Sequence, residues 1–142
     1  MNVTQHWQAL YDAIRAGLDA DGLTGVAIAG VHSSYTTDPS SGGVGPPYVT
    51  YTVEALSPTG TFGGGPNEVL ADTWRITARA EDMADMLAIT TALTDKFAAQ
   101  DIATTADGYV TTAVRLRGTQ TLWEMDSKLH AMHMRILWER SK

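Results

Sequence analysis

Residues 73–79 read Thr73-Trp74-Arg75-Ile76-Thr77-Ala78-Arg79, and this alternation decides the fold. Trp74, Ile76 and Ala78 fall on one side of an extended chain, with Thr73, Arg75, Thr77 and Arg79 on the other, because successive strand side chains point to opposite faces. One face suits a core; the other suits water or a partner. The run spans Glu68 to Glu81, where Glu81-Asp82 ends the alternation and a spacing of three and four takes over. Acidic residues at that junction favour a helix start, since the helix dipole is positive at its N-terminus. Met83, Met86, Leu87, Thr90, Leu93, Thr94 and Phe97 line the expected buried face of this helix, which ends near Gln100, while Asp85, Asp95 and Lys96 face solvent.

Upstream, Tyr48-Val49-Thr50-Tyr51-Thr52-Val53 begins a strand that runs to Leu56 and pairs with 68–81 as a hairpin. Two glycine-rich, charge-poor stretches flank it, residues 33–47 and 57–67. Their Gly and Ser content raises the entropy cost of any single conformation, so both are expected to be mobile loops. Pro46-Pro47 sets an extended backbone where the strand starts. Tyr35 lies in the first loop, and Phe62 is the only large apolar side chain of the second. Long loops on a short scaffold suit a protein that assembles with copies of itself or with a neighbour.

The N-terminal segment Thr4 to Ala20 is an amphipathic helix: Val3, Trp7, Leu10, Tyr11, Ile14 and Leu18 recur on one stripe. Asn2 or Thr4 can cap its first turn, and Gly17 with Gly22 weakens its end. Leu23 to Val31 reads as a short edge strand or an irregular lead into the loop. Downstream, Tyr109 to Arg117 alternates Val110, Thr112, Val114 and Leu116 against Thr111, Ala113, Arg115 and Arg117, until Gly118 breaks the pattern. Thr121 to Asp126 is a further short strand candidate. Lys128 to Glu139 is a long strand in which His130, Met132, Met134, Ile136 and Trp138 share a face. This order predicts a single α+β domain over 1–142: an antiparallel four- to five-stranded sheet with two main helices packed on one face. The opposite sheet face, carrying Arg, Thr and His, is left wet or covered by another subunit.

Composition narrows the function. With 142 residues, 44% of them hydrophobic, the chain has the size of one ordinary domain and is neither a disordered tail nor a membrane protein. No apolar run reaches the roughly 18 residues of a membrane-spanning helix. Met1-Asn2-Val3-Thr4-Gln5-His6-Trp7 has neither the basic nor the apolar region of a signal peptide, so folding in a cytoplasm is expected. Cysteine is absent, which removes disulfides, thiolate nucleophiles and thiolate metal sites. A net charge of -6 with scattered Lys and Arg argues against general nucleic-acid binding. An acidic surface can instead keep DNA from sticking to a wall it must pass.

No catalytic constellation emerges. His130 and His133 are imidazoles that suit zinc or nickel, but three residues apart on a strand they project to opposite faces. Glu81, Asp82 and Asp85 are explained by the first turn of a helix without acid-base work. The loop serines Ser33, Ser34, Ser40 and Ser41 lack the Gly-x-Ser-x-Gly turn that exposes a nucleophile. Gly63-Gly64-Gly65 leads through Pro66 into a strand, whereas a phosphate loop opens into a helix. The chain is therefore expected to be no enzyme and to carry no cofactor or metal. Arg75, Arg79, Arg115 and Arg117 sit on polar strand faces, where they form a solvated face or pair with acids of an adjacent subunit if their strands are neighbours. Trp123, beside Glu124 and Asp126, is a candidate interface anchor. With Tyr35 and Phe62, these residues make up the expected interaction surface.

Element order, length and the Pro47-Tyr48-Val49 strand entry resemble the tail terminator and tail-completion proteins of long-tailed bacteriophages, also called tail-to-head joining proteins. The amphipathic helix around Trp7, Leu10, Tyr11 and Ile14, the return through Trp74-Arg75-Ile76, the helix Met83 to Phe97 and the closing strand around His130-Ala131-Met132-His133 carry the resemblance. It implies a virion protein at the head-proximal end of the tail, made in the host bacterial cytoplasm. Such a protein forms a ring, hexameric in that family, which caps the tail tube, ends its polymerisation and joins it to the neck while DNA passes through. The implied partners are sister copies, the tail tube protein and a neck or head-completion protein. Two other readings stand beside it: a head-completion protein of the same virion, and a ferredoxin-like module binding a small ligand between sheet and helices.

Overall fold

The computed structural model describes residues 3–29, 46–58, 69–99, 102, 108–126 and 128–141. In chain order they form α1 (Val3–Ala20), β1 (Ala27–Ala29), β2 (Tyr48–Pro58), β3 (Val69–Ala80), α2 (Met83–Ala98), β4 (Val110–Glu124) and β5 (Leu129–Ser141). The strands make one five-stranded sheet in the order β1-β2-β3-β5-β4. Neighbours are antiparallel except that β1 runs parallel to β2, which corrects the expectation of a wholly antiparallel sheet. Parallel neighbours need a crossover of about a dozen residues or more, and the stretch between β1 and β2 is long enough to supply one.

Three further expectations change. Gly118 does not break its strand: β4 is continuous from Val110 to Glu124, because the ladder to β5 absorbs the irregularity as a register shift between Leu116 and Gly118. Arg117 is the extra residue there, and comparable shifts make Thr112 an extra residue of β4 and Glu54 one of β2. On α2, Met83 and Leu87 are 44% and 48% exposed rather than buried. The buried stripe instead runs through Met86, Ile89, Ala92, Leu93 and Phe97. β2 also continues through Ser57 and Pro58, so these two residues belong to strand rather than loop. The remaining expected loop residues 33–45 and 59–67, Tyr35 and Phe62 among them, lie outside the described residues.

Register places the core on one sheet face. Trp74 stands opposite Ile136, Ile76 opposite Met134 and Ala78 opposite Met132, while Val49, Tyr51 and Val53 oppose Ala78, Ile76 and Trp74 from the other side. Both helices cover this face. Leu10, Ile14 and Leu18 of α1 are fully buried against it and α2. Tyr51 is tucked under α1, where burial, with Tyr11 and Asp12 nearby, pushes its phenol up to about 12. Its ring meets Trp74 at 6.1 Å between centroids.

Gly17 does more than weaken a helix end. A Cβ there would lie 2.9 Å from Lys96 Cβ and 3.1 Å from its Cγ, so glycine sets how closely α1 and α2 approach. Gly22, at φ 76°, closes α1: Leu23 N–H donates to Leu18 O at 2.9 Å and Gly22 N–H to Asp19 O at 3.1 Å, the Schellman arrangement. Arg15 then holds the exit, donating to Val26 O at 2.7 Å and Leu23 O at 3.0 Å.

At the far end of the core face, Arg140 Nη2 donates to Asp72 Oδ2 at 2.5 Å, both side chains being buried. The guanidinium lies 4.0 Å over the Trp138 ring. Trp138 Nε1 donates to Thr111 Oγ1 at 2.9 Å, and Thr111 donates on to Ile102 O at 3.0 Å. A buried ion pair contributes little compared with apolar packing, but losing one partner strands the other charge.

Two outcomes follow from this packing. Gly17→Val is expected to lower unfolding free energy by about 1–3 kcal/mol, the usual cost of overpacking, as read by urea denaturation. Asp72→Ala should cost about 3–5 kcal/mol, whereas the double variant Asp72→Leu/Arg140→Met should recover most of that loss; equal losses in the two proteins would show that the charges are not the cause.

Candidate functional site

The sheet face away from the helices is built in rows, each drawn from four strands. Thr52, Arg75, Arg135 and Gly118 stand side by side across β2, β3, β5 and β4, followed by Thr50, Thr77, His133 and Gln120, then Tyr48, Arg79, Ala131 and Leu122. Alternation alone puts Arg75, Thr77, Arg79, His133 and Arg135 here, as each lies out of phase with the core residues beside it.

Two of the three extra residues of the bulged ladders complete the charge pattern. Glu54 accepts from Arg75 Nε at 2.6 Å and from Arg135 Nε at 3.0 Å, so one carboxylate holds two guanidiniums together. Arg117, displaced from the regular alternation of β4, lines an open groove of about 420 Å³ with Arg75, Arg135, His133, Gly118 and Leu122. No ion pair holds Arg117 among the described residues. The groove thus gathers three guanidiniums, two of which share the carboxylate of Glu54, an excess of positive charge on a chain whose net charge is -6.

Arg79 has a different fate. It is 7% exposed and its charge is satisfied internally: Nε donates to Glu124 Oε1 at 2.9 Å and Nη1 to Thr50 Oγ1 at 3.1 Å. Ala131, small and fully buried in the intervening strand, leaves room for this reach from β3 to β4. The Tyr48 ring lies beneath the same guanidinium at 5.9 Å; burial raises the phenol pKa, and the positive charge of Arg79 opposes the rise.

Of the residues expected at the interaction surface, then, Arg75 and Arg117 come together, although β5 separates their strands. Arg115 is exposed on the same face beside Leu137 but does not line the groove. Trp123 belongs to the opposite face, across from His130, with the rings edge-on at 4.7 Å and the indole 48% exposed. His130 and His133 stand on opposite faces, as their spacing requires. Among the described residues no group of three His, Asp or Glu side chains comes together, and no helix is long and apolar enough to cross a membrane. Arg135, Glu54 and His133 were not anticipated at the groove. Arg135 and His133 were readable from the phase of β5, but the position of Glu54 depends on a bulge that nothing in the residue pattern marks.

His133 Nδ1 lies 2.9 Å from Thr77 Oγ1. Burial lowers its pKa below the ordinary 6.5, and Arg79 and Arg75 lower it further. The unfolded chain therefore takes up this proton first as pH falls through 6.5, and folded stability declines with it. The melting temperature should drop between pH 7.5 and 5.5 more steeply for the wild type than for His133→Gln; parallel profiles would exclude this histidine as the source.

No protein-family model and no curated protein matches this chain. Among solved structures, a chain of the virion of a native gene transfer agent particle has the same fold. The two superpose with a TM-score of 0.70 over 99% of this chain and 97% of that one, at 14% sequence identity.

Proposed function

We propose that this chain is a virion structural protein without enzymatic activity, and specifically a tail terminator. Sister copies close into a ring that caps the tail tube, ends its polymerisation and joins the tail to the neck or head-completion protein, while DNA passes through the lumen. The observation that carries this reading is the end-to-end likeness of fold to a chain of a virion particle. The element order that resembles tail terminators, read from the residues alone, supports it independently. The open groove on the sheet face, lined by arginines, also fits a surface that meets macromolecules.

The mechanism is geometric. A ring whose one face matches the tube and whose other face does not removes the next binding surface, so stacking stops without chemistry. Added to growing tail tubes, the purified protein should appear by electron microscopy as a cap at one end only, and capped tubes should stop lengthening. Binding to the portal side instead would identify a head-completion protein, and failure to bind either would remove the virion reading.

A further inference from the structure

We infer that the arginine groove on the open sheet face receives the acidic start of α2 from a second copy of this chain. The inference rests on the ring reading and specifies the contact that would close it.

Charge is divided unevenly between the two sides of the molecule. Asp12, Asp19, Asp21, Glu81, Asp82, Asp85 and Asp95 are all exposed on or beside the helices. Arg75, Arg115, Arg117 and Arg135 lie on the opposite sheet face. Copies that each carry a net charge of -6 repel one another overall, so electrostatic attraction between them must come from a place where the sign is reversed. That place is the groove, where Arg75 and Arg135 share the single carboxylate of Glu54 and Arg117 has no ion pair among the described residues.

The start of α2 has the complementary chemistry for a second reason besides charge. Glu81, Asp82 and Asp85 are exposed within one turn, and Met83 and Leu87 stand out beside them at 44% and 48% exposure. These two apolar side chains lie off the stripe that α2 buries in its own core, so the same projection presents carboxylates and apolar surface together. The groove answers both: arginines for the acids, and Leu122 with the side-chain-free Gly118 for the apolar contact. A Cβ at Gly118 would meet nothing within 4 Å, which leaves that part of the groove open to an incoming side chain.

The two surfaces lie on opposite faces of the sheet, so they cannot meet within one molecule. Joining them between molecules is a head-to-tail contact, which repeats and closes into a ring when the rotation permits.

The test uses the full chain and measures assembly against concentration by light scattering and sedimentation, with circular dichroism to verify folding. Arg117→Glu and Asp85→Arg should each raise the concentration needed for assembly about tenfold or more, since each places like charges across the contact. An equimolar mixture of the two should restore assembly, because alternating copies recover opposite charges at every contact; misfolded variants could not produce that rescue. Arg117→Gln should weaken assembly less than Arg117→Glu. Single variants that assemble as the wild type does, or a mixture that fails to recover, would overturn the groove contact while leaving the ring reading in place. A wild type that stays monomeric at every concentration would overturn both.

Discussion

The register between β3 and β5 is the constraint on which the other features depend. These two strands lie at the centre of the sheet, and their pairing decides that Trp74, Ile76, Ile136 and Trp138 face the helices while Arg75, Thr77, His133 and Arg135 face away. A slip of one residue would exchange those sets and place guanidiniums under α2. A slip of two that brings Asp72 opposite Ile136 would preserve the faces but separate Asp72 from Arg140, leaving each charge buried without its partner. Hydrophobic burial therefore chooses the face, and the ion pair penalises a two-residue slip that draws its partners apart.

Upon that frame the polar surface is shaped by irregularity. Regular alternation would have given β2 and β4 a plain sequence of up and down side chains; the register shifts instead bring Glu54 onto two of the groove's arginines and Arg117 into its lining. Glu54 draws Arg75 and Arg135 together, which holds long side chains that would otherwise sample many rotamers. Arg79 and Glu124 do the opposite, neutralising each other in a part-buried contact and adding no net charge to the surface. Neighbouring arginines on one strand thus serve different ends, and their partners rather than their positions distinguish them.

Much of the architecture was legible in residue spacing. Both helices, the β2–β3 hairpin and the long final strand follow from periodicities strong enough to survive without tertiary information. The parallel β1 did not, because three residues, Ala27 to Ala29, carry no pattern that tells one direction from the other. Gly118 was misread as a break since glycine weakens strands locally, whereas the paired β5 supplies enough ladder to carry the chain across it. On α2, Leu87 and Ile89 offer nearly equal apolar character, and only packing against β3, β4 and β5 decides which is buried. The groove was half legible: Arg75 and Arg117 could be named, but their meeting depends on the strand order and on a bulge, both of which are long-range properties.

The twin interruptions of β4 have a consequence for solubility. This strand lies at the border of the sheet, and among the described residues no strand pairs with its outer row of backbone donors and acceptors. An uninterrupted border that long would template indefinite lateral growth into fibrils. The displaced Thr112 and Arg117 interrupt its regular register at two points, and the cationic Arg115 and Arg117 along it repel an identical border. The same distortion that aims an arginine at a groove thereby also breaks up an edge of the kind that favours cross-β pairing.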